Sequence, residues 1–501
     1  MSIAGDTQPR VPGFFSQSET VISPRKSGIA WQTATLGGTT LSQPTASGSG
    51  GIAIGSGTAS GNSSIVIGSN SATATQSIAI GVQSGGNASG IRSVAIGSLA
   101  NQGLDAVTIG GSTITGASDN SIAIGNFGSI ASATNAFAVR SGIGSGSNSA
   151  ISIGGLTGIG TNATNAIKIG TGSISNNASG AIVIGSGTGA NTNSIAIGPN
   201  ITTSPGTSSV SIGTASNASG ASAIAIGPSA SATASGTIAI GSLTTTSLFS
   251  TSVGNEAQST TASVALGRDA RANGLPSVAI GTQSRVTGTF AIAIGCSDTS
   301  TNGSGADTAS TRSIVIGAGS TAGGAGSITL GSLASSGAAG SVSIGYQSGV
   351  DFSGQINLCS GRFAAANDMA TSIVPLFMTT TDGTVTEMGT SQGTTTITPA
   401  GRIVCSNNST YIFDVDIVAR TSAGDVAAYN LKFAFNRNAT AGTSTISTVS
   451  KNILYTLGTT TGWDVNATAD TTNGRPNISV TGAAATTIRW VGHAKMTKVA
   501  S

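Results

Sequence analysis

Charge is what this sequence has least of: Asp, Glu, Lys and Arg together make 7% of 501 residues, and the formal net charge is +3. No basic cluster exceeds Arg25 and Lys26, so the cationic stripe that tracks a phosphate backbone is missing and nucleic acid is not an expected partner. Histidine occurs once, at His493, which leaves too few ligands for a zinc site and too little context for a Ser-His-Asp triad. The three cysteines, Cys296, Cys359 and Cys405, are odd in number and far apart. They are expected to be reduced and buried, with no disulfide framework. No Gly-Lys dipeptide exists to build a phosphate-cradling loop despite abundant glycine. No cofactor is expected. Long hydrophobic runs are also lacking, and the opening MSIAGDTQPRVPGFF has neither the basic segment nor the apolar run of a secretory signal. Assembly in a cytoplasm without membrane insertion is the expectation.

What is present is glycine, 74 residues of it. A strict three-residue period is absent, which excludes collagen, and the Ile and Val residues return too regularly for disorder. From Gly51 the chain repeats x-I-x-I-G, with closing glycines at 55, 68, 81, 97, 110 and 125, again from 154 to 295, and at 317, 331 and 345. Most steps are 13 to 16 residues; Arg140 and Cys359 stand in glycine slots, and the step from Gly295 to Gly317 contains an inserted TNGSGADTAS. Period-2 alternation puts both Ile side chains of a unit on one strand face, expected to be the core, with the small residue between them on the other. Glycine then accepts a positive φ and ends the strand. One unit cannot bury its own Ile pair, so units must stack into a parallel solenoid. At about 4.8 Å per coil the stack is expected to reach on the order of 100 Å. Only 14 charged residues lie between 51 and 360, so much of the surface is expected to be buried against copies of the same chain, with threefold closure the natural arrangement.

The units SIAIGVQSGGNASGIR, SVALGRDARANGLP and SVAIGTQSRVTGTF resemble the head repeats of trimeric autotransporter adhesins of the YadA type. The resemblance implies a left-handed parallel β-roll assembled as a homotrimer.

From about residue 366 the composition changes: this last stretch holds nine of the 19 aromatics and 17 of the 37 charged residues. TSIVPLFMT, TYIFDVDIVAR, AAYNLKFAFNR, WDVNATAD, NISVTG and TIRWVGHAKMTKV alternate as strands between turn segments such as TTDGT and TTNGRP, which predicts an antiparallel β-sandwich or jelly roll. The stretches DGTVTEMGT, NNSTYIFDVDIVAR and TIRWVGHAKMTKV resemble a terminal β-domain of bacteriophage tail-fibre proteins. That resemblance implies a virion tail fibre. Residues 1–48 would be an irregular attachment segment for a tail or baseplate protein, 49–365 the β-roll shaft, and 366–501 a tip that contacts a host-surface glycan or protein.

Binding is expected in loops of that tip, at Asn438, Thr443, Gly458, Thr461 and Trp463, because loops at an exposed end carry recognition. Trp463 could offer a ring to a sugar or lie in the core; Trp490, alternating with Ile488, is expected in the core. Acids in the shaft are scattered singly, with Asp298 and Asp307 sharing the insertion, so paired carboxylates for glycoside cleavage are not expected. A non-enzymatic structural protein is the leading expectation, against a bacterial surface adhesin or a polysaccharide-cleaving tailspike.

Overall fold

The computed structural model describes residues 22–25, 28–31, 44–81, 87–97, 101–155, 157–186, 188–201, 206–296, 307–308, 310–359, 361–390, 397 and 401–501. They fall into two units, Met1–Ser235 and Gly236–Ser501. The fold is all-β, and a short 3₁₀ turn spans Ala441–Thr443.

In the first unit each x-I-x-I-G segment is a parallel strand. Ile52 pairs with Ile65, Ile65 with Ile78, and Val94 with Ile78 and Val107, in unbroken register. Short second strands such as Thr58–Ala59 and Ser71–Ala72 form the opposite wall. Pairing reaches upstream of residue 49: Gly28–Trp31 lies parallel to Gly51–Ile54 and antiparallel to Ile22–Arg25. The segment expected to be irregular therefore contains strands. Residues 1–21, 26–27 and 32–43 of it lie outside the described residues.

The interior is the reverse of the expectation. Ala53, Val66, Ala79 and Ala95, the middle residues, are at most 1% exposed, whereas Ile54 and Ile67 are each 41% exposed. Alternation alone cannot say which face is inside; the coil's width decides. The two walls stand so close that the middle Ala meets Ala59, Ala72 or Ala88 of the second strand, and an Ile pair would not fit between them. Serines before the strands complete the interior, Ser77 Oγ donating to the Ala74 carbonyl at 2.7 Å and Ser93 Oγ to that of Gly90 at 2.6 Å. Further on, Ile114, Ile130, Ile143, Ile159 and Ile174 furnish the second wall.

There Lys168 takes a middle position, fully buried. Its Nζ donates to Ser141 Oγ at 2.7 Å and to the Gly154 carbonyl. Burial lowers its pKa from the usual 10.5 to about 8. Arg140 adopts φ +51 in its glycine slot, as the spacing required.

The second unit begins with the same roll. Ala265, Ala279, Ala293 and Val315 face Ala272, Val286 and Ala322 inside. Across the long step Ile292 pairs directly with Ile314, so the insertion leaves the ladder unbroken; Asp298 lies outside the described residues. Cys359 and Cys405 are buried as expected, but Cys296 is exposed because it follows the glycine at which the chain leaves the strand.

The last roll strand, Ile356–Leu358, pairs antiparallel with Met369–Thr380. Asp368 fastens the intervening turn, accepting from the backbone N–H of Phe363, Ala364 and Ala365 at 2.9, 2.5 and 2.8 Å. Burial opposes the charge, yet these N–H groups keep the carboxyl below its ordinary pKa.

From there the sheet continues in the order Met369–Thr380, Ile488–Ala500, Ser409–Thr421, Val426–Arg437, Ser450–Leu457, all antiparallel. A three-stranded sheet of Val385–Glu387, Arg475–Thr481 and Asp464–Asp470 packs on one of its faces. Between them lies an aromatic core in which Phe413 stacks on Phe433 at 4.8 Å and Trp490 is 1% exposed. This is the C-terminal antiparallel sandwich that the alternating strands predict.

Candidate functional site

The five candidate binding residues do not form one site. Strand pairing sets Ser409 beside Arg437 at one end of the sheet, and the Thr421–Asp425 turn at the other. Asn438 and Thr443 follow the first end, exposed, with Thr443 Oγ1 donating to the Thr440 carbonyl at 2.8 Å. Gly458 and Thr461 lie at the second end. The Asp425 carboxylate accepts from the Thr459 N–H there at 2.9 Å, beside Gly458 with φ +76. The strand Val426–Arg437 separates them by roughly 40 Å, from its rise per residue.

Trp463 is a core residue: only 6% of it is exposed, and its ring tilts against Trp490 at 5.9 Å. The Tyr429 hydroxyl donates to the Trp463 carbonyl at 3.1 Å. As a platform for a sugar ring it is therefore unavailable, which corrects its place among the candidates.

At the Asn438 end there is a pocket of about 220 Å³ lined by Asn408, Ser409, Thr410, Asn436, Asn438 and the last residues Val499 to Ser501. Thr410 Oγ1 donates to Asn436 Oδ1 at 2.8 Å, and Asn436 Nδ2 to Asn438 Oδ1 at 3.3 Å. Its side chains are amides and hydroxyls with one apolar wall and no charged group, a set that matches a neutral hydroxyl-bearing ligand.

Elsewhere chemistry is sparse. His493 Nε2 stands 3.3 Å from Asp416 on the sheet's outer face. Asp105 pairs with Arg92, and Asp269 with Arg271 at 2.8 Å, so these shaft acids are locally neutralised. Asp307 is raised in pKa by burial, with Arg285 acting against the shift. Among the described residues no group of three His, Cys, Asp or Glu could hold a metal, and no helix is long and apolar enough to cross a membrane.

The alternation that was misassigned creates an extended surface feature. In each unit the outward Ile and Val residues form a double apolar column, one pair per coil. Ile96, Ile109, Ile169 and Ile184 in the first unit, and Ile316, Ile344, Ile356 and Leu358 in the second, are 36% to 47% exposed. Such a column is rare on a solitary soluble chain.

Comparison with known proteins agrees with the repeat. The model of the YadA head domain repeat matches residues 72–100, 204–229, 218–244, 261–284 and 272–295, so this chain carries adhesin-type head repeats over part of its length. No curated protein matches the chain. Among solved structures, the Acinetobacter phage vB_ApiP_P1 tailspike protein aligns over 87% of this chain and 82% of its own at 11% identity, with a TM-score of 0.17. A score that low does not establish a shared fold. The chain is thus similar, in its repeats, to YadA-type heads.

Proposed function

We propose that this chain is the protomer of a homotrimeric surface-binding fibre, and specifically of a bacteriophage tail fibre. The single observation that carries self-association is the outward Ile/Val column, too apolar to face water over so many coils. The YadA-type repeats supply the number three. On this reading residues 1–48 attach to a tail or baseplate protein, and the protein resides in the virion. The C-terminal domain meets the host surface, with the amide-lined pocket at Asn408 and Asn438 receiving a neutral glycan. The protein acts by binding and not by catalysis.

Light scattering on the intact protein should give about three times 48.1 kDa; a monomer would sink the assembly reading. Proteomics of purified phage particles tests the virion assignment. Recovery from the bacterial envelope alone would favour the second reading, a bacterial surface adhesin, which the head-repeat match supports. Release of oligosaccharide from host capsule or lipopolysaccharide would overturn the non-enzymatic reading. For the pocket, Asn438→Ala should weaken adsorption to host cells by about tenfold, the loss of one to two hydrogen bonds.

A further inference from the structure

The apolar column of the second unit does not stop at the last coil. Ile356 pairs with Ile373 across the antiparallel join, and both point outward, 39% and 38% exposed. One residue over, Asn357 and Ser372 point inward, with Ser372 Oγ donating to Asn357 Oδ1 at 2.7 Å. The outward side of the roll and the outer face of the C-terminal sheet are therefore one surface.

Across that sheet the apolar character persists. Val491 lies between Phe377 and Val418 in register, and Ile412 lies beside Thr497. Val491, Val418 and Ile412 are 50% to 62% exposed. The far edge is Ser450–Leu457, exposed along its whole length, with Tyr455 and Leu457, opposite the outward Ala428 and Val426, each 54% exposed. Among the described residues it is bonded on one side only, to Val426–Arg437. An apolar strand with an open edge is a surface that folded proteins cover.

The acids of this face already have partners. Asp414 accepts from Asn430 at 2.7 Å and lies 3.4 Å from Lys432, and Asp416 accepts from the same Asn430 at 2.8 Å and lies 3.3 Å from His493. Asn430 and then Lys432 hold the Asp414 carboxyl below its ordinary pKa. Such pairs can be covered without leaving a bare carboxylate against a partner.

We propose that the outer face of the C-terminal sheet, from Ile373 to the edge strand Ser450–Leu457, is closed by further copies of this chain. The C-terminal domain is then part of the subunit interface, and its recognition surface is confined to the sheet ends and the three-stranded side. This rests on the self-association reading above and extends it beyond the roll.

The test uses the full chain with Cys296→Ser. Cys359 and Cys405 are buried, and burial pushes the Cys405 thiol far up, so neither competes for reagent. Val491→Cys and Val418→Cys are compared with Thr472→Cys, in an exposed turn, for maleimide labelling, alongside the mass in solution. The expected result is a trimer in which the two face positions react at least about tenfold more slowly than Thr472→Cys, as in the dry centre of an interface. A trimer with equal rates at all three positions overturns this proposal and leaves the self-association reading standing. A monomer overturns both.

Discussion

At the level of single residues the roll is governed by space. Most middle positions of its interior hold Ala, Ser, Thr or Val, and most strand ends hold glycine. Gly267 has φ +135, and a Cβ there would lie 2.6 Å from the Gly281 carbonyl oxygen of the next coil. Gly267→Ala should therefore lower the unfolding free energy by at least about 1 to 3 kcal/mol, the cost of the strained φ alone; urea titration followed by circular dichroism measures it.

Lys168 gives a pH signature. The folded chain releases this proton near pH 8 and the unfolded chain near 10.5, so between those values the unfolded state holds more protons. Stability should then rise as pH increases across that window, and below pH 8 the full cost of burying the charge is present. Lys168→Met should be more stable than the parent at pH 7, with the gap closing by pH 10.5; thermal melts of both proteins at stepped pH check this, and an unchanging gap contradicts it. The slot of Arg140 was legible as spacing. Which face of the alternation was inside was not, because both faces alternate equally and only the distance between the walls distinguishes them.

At the level of elements, the strands of the C-terminal domain were legible where they are long and alternate cleanly. TYIFDVDIVAR lies wholly within Ser409–Thr421, and TIRWVGHAKMTKV runs into Ile488–Ala500. The second wall of the roll was visible only as an Ala/Ser/Thr-rich stretch, since strands of two residues such as Ser71–Ala72 carry no period of their own. The separation of the candidate loops was hidden for another reason: loops near in sequence fall at opposite ends of a strand, and only pairing reveals it.

The smaller sheet is pinned by Arg475, whose side chain is 8% exposed and whose guanidinium bonds Glu387 and, at 2.8 Å, Asp470. Arg475→Met should leave Asp470 without a counter-charge and Glu387 with only Arg402, 3.5 Å away, and cost about 3 kcal/mol. The denaturant midpoint of the full chain measures it, and a variant as stable as the parent would show that the carboxylates find other partners.

For the whole molecule, scarcity of charge and the outward Ile/Val column point to the same event, the covering of each protomer by others. Replacing Ile316, 42% exposed on that column, with Asp should shift the mass in solution toward the monomer. Raising salt to 1 M should leave the assembly intact, because screening weakens ion pairs and not apolar contact. Sedimentation at low and high salt distinguishes the two. What the sequence could not convey at this scale is where the covered surface ends, since the join between parallel and antiparallel strands leaves no mark in composition.

The column also changes what the stability of this protein means. If the outward Ile and Val residues are dry only when other copies are present, folding and association share one free energy, and mass action enters the unfolding equilibrium. The melting temperature then belongs to a solution and not to a chain: it climbs with dilution reversed, each concentration having its own midpoint. For a cell making this protein, the rate of synthesis would set how long a half-covered chain persists beside others that could pair with it wrongly.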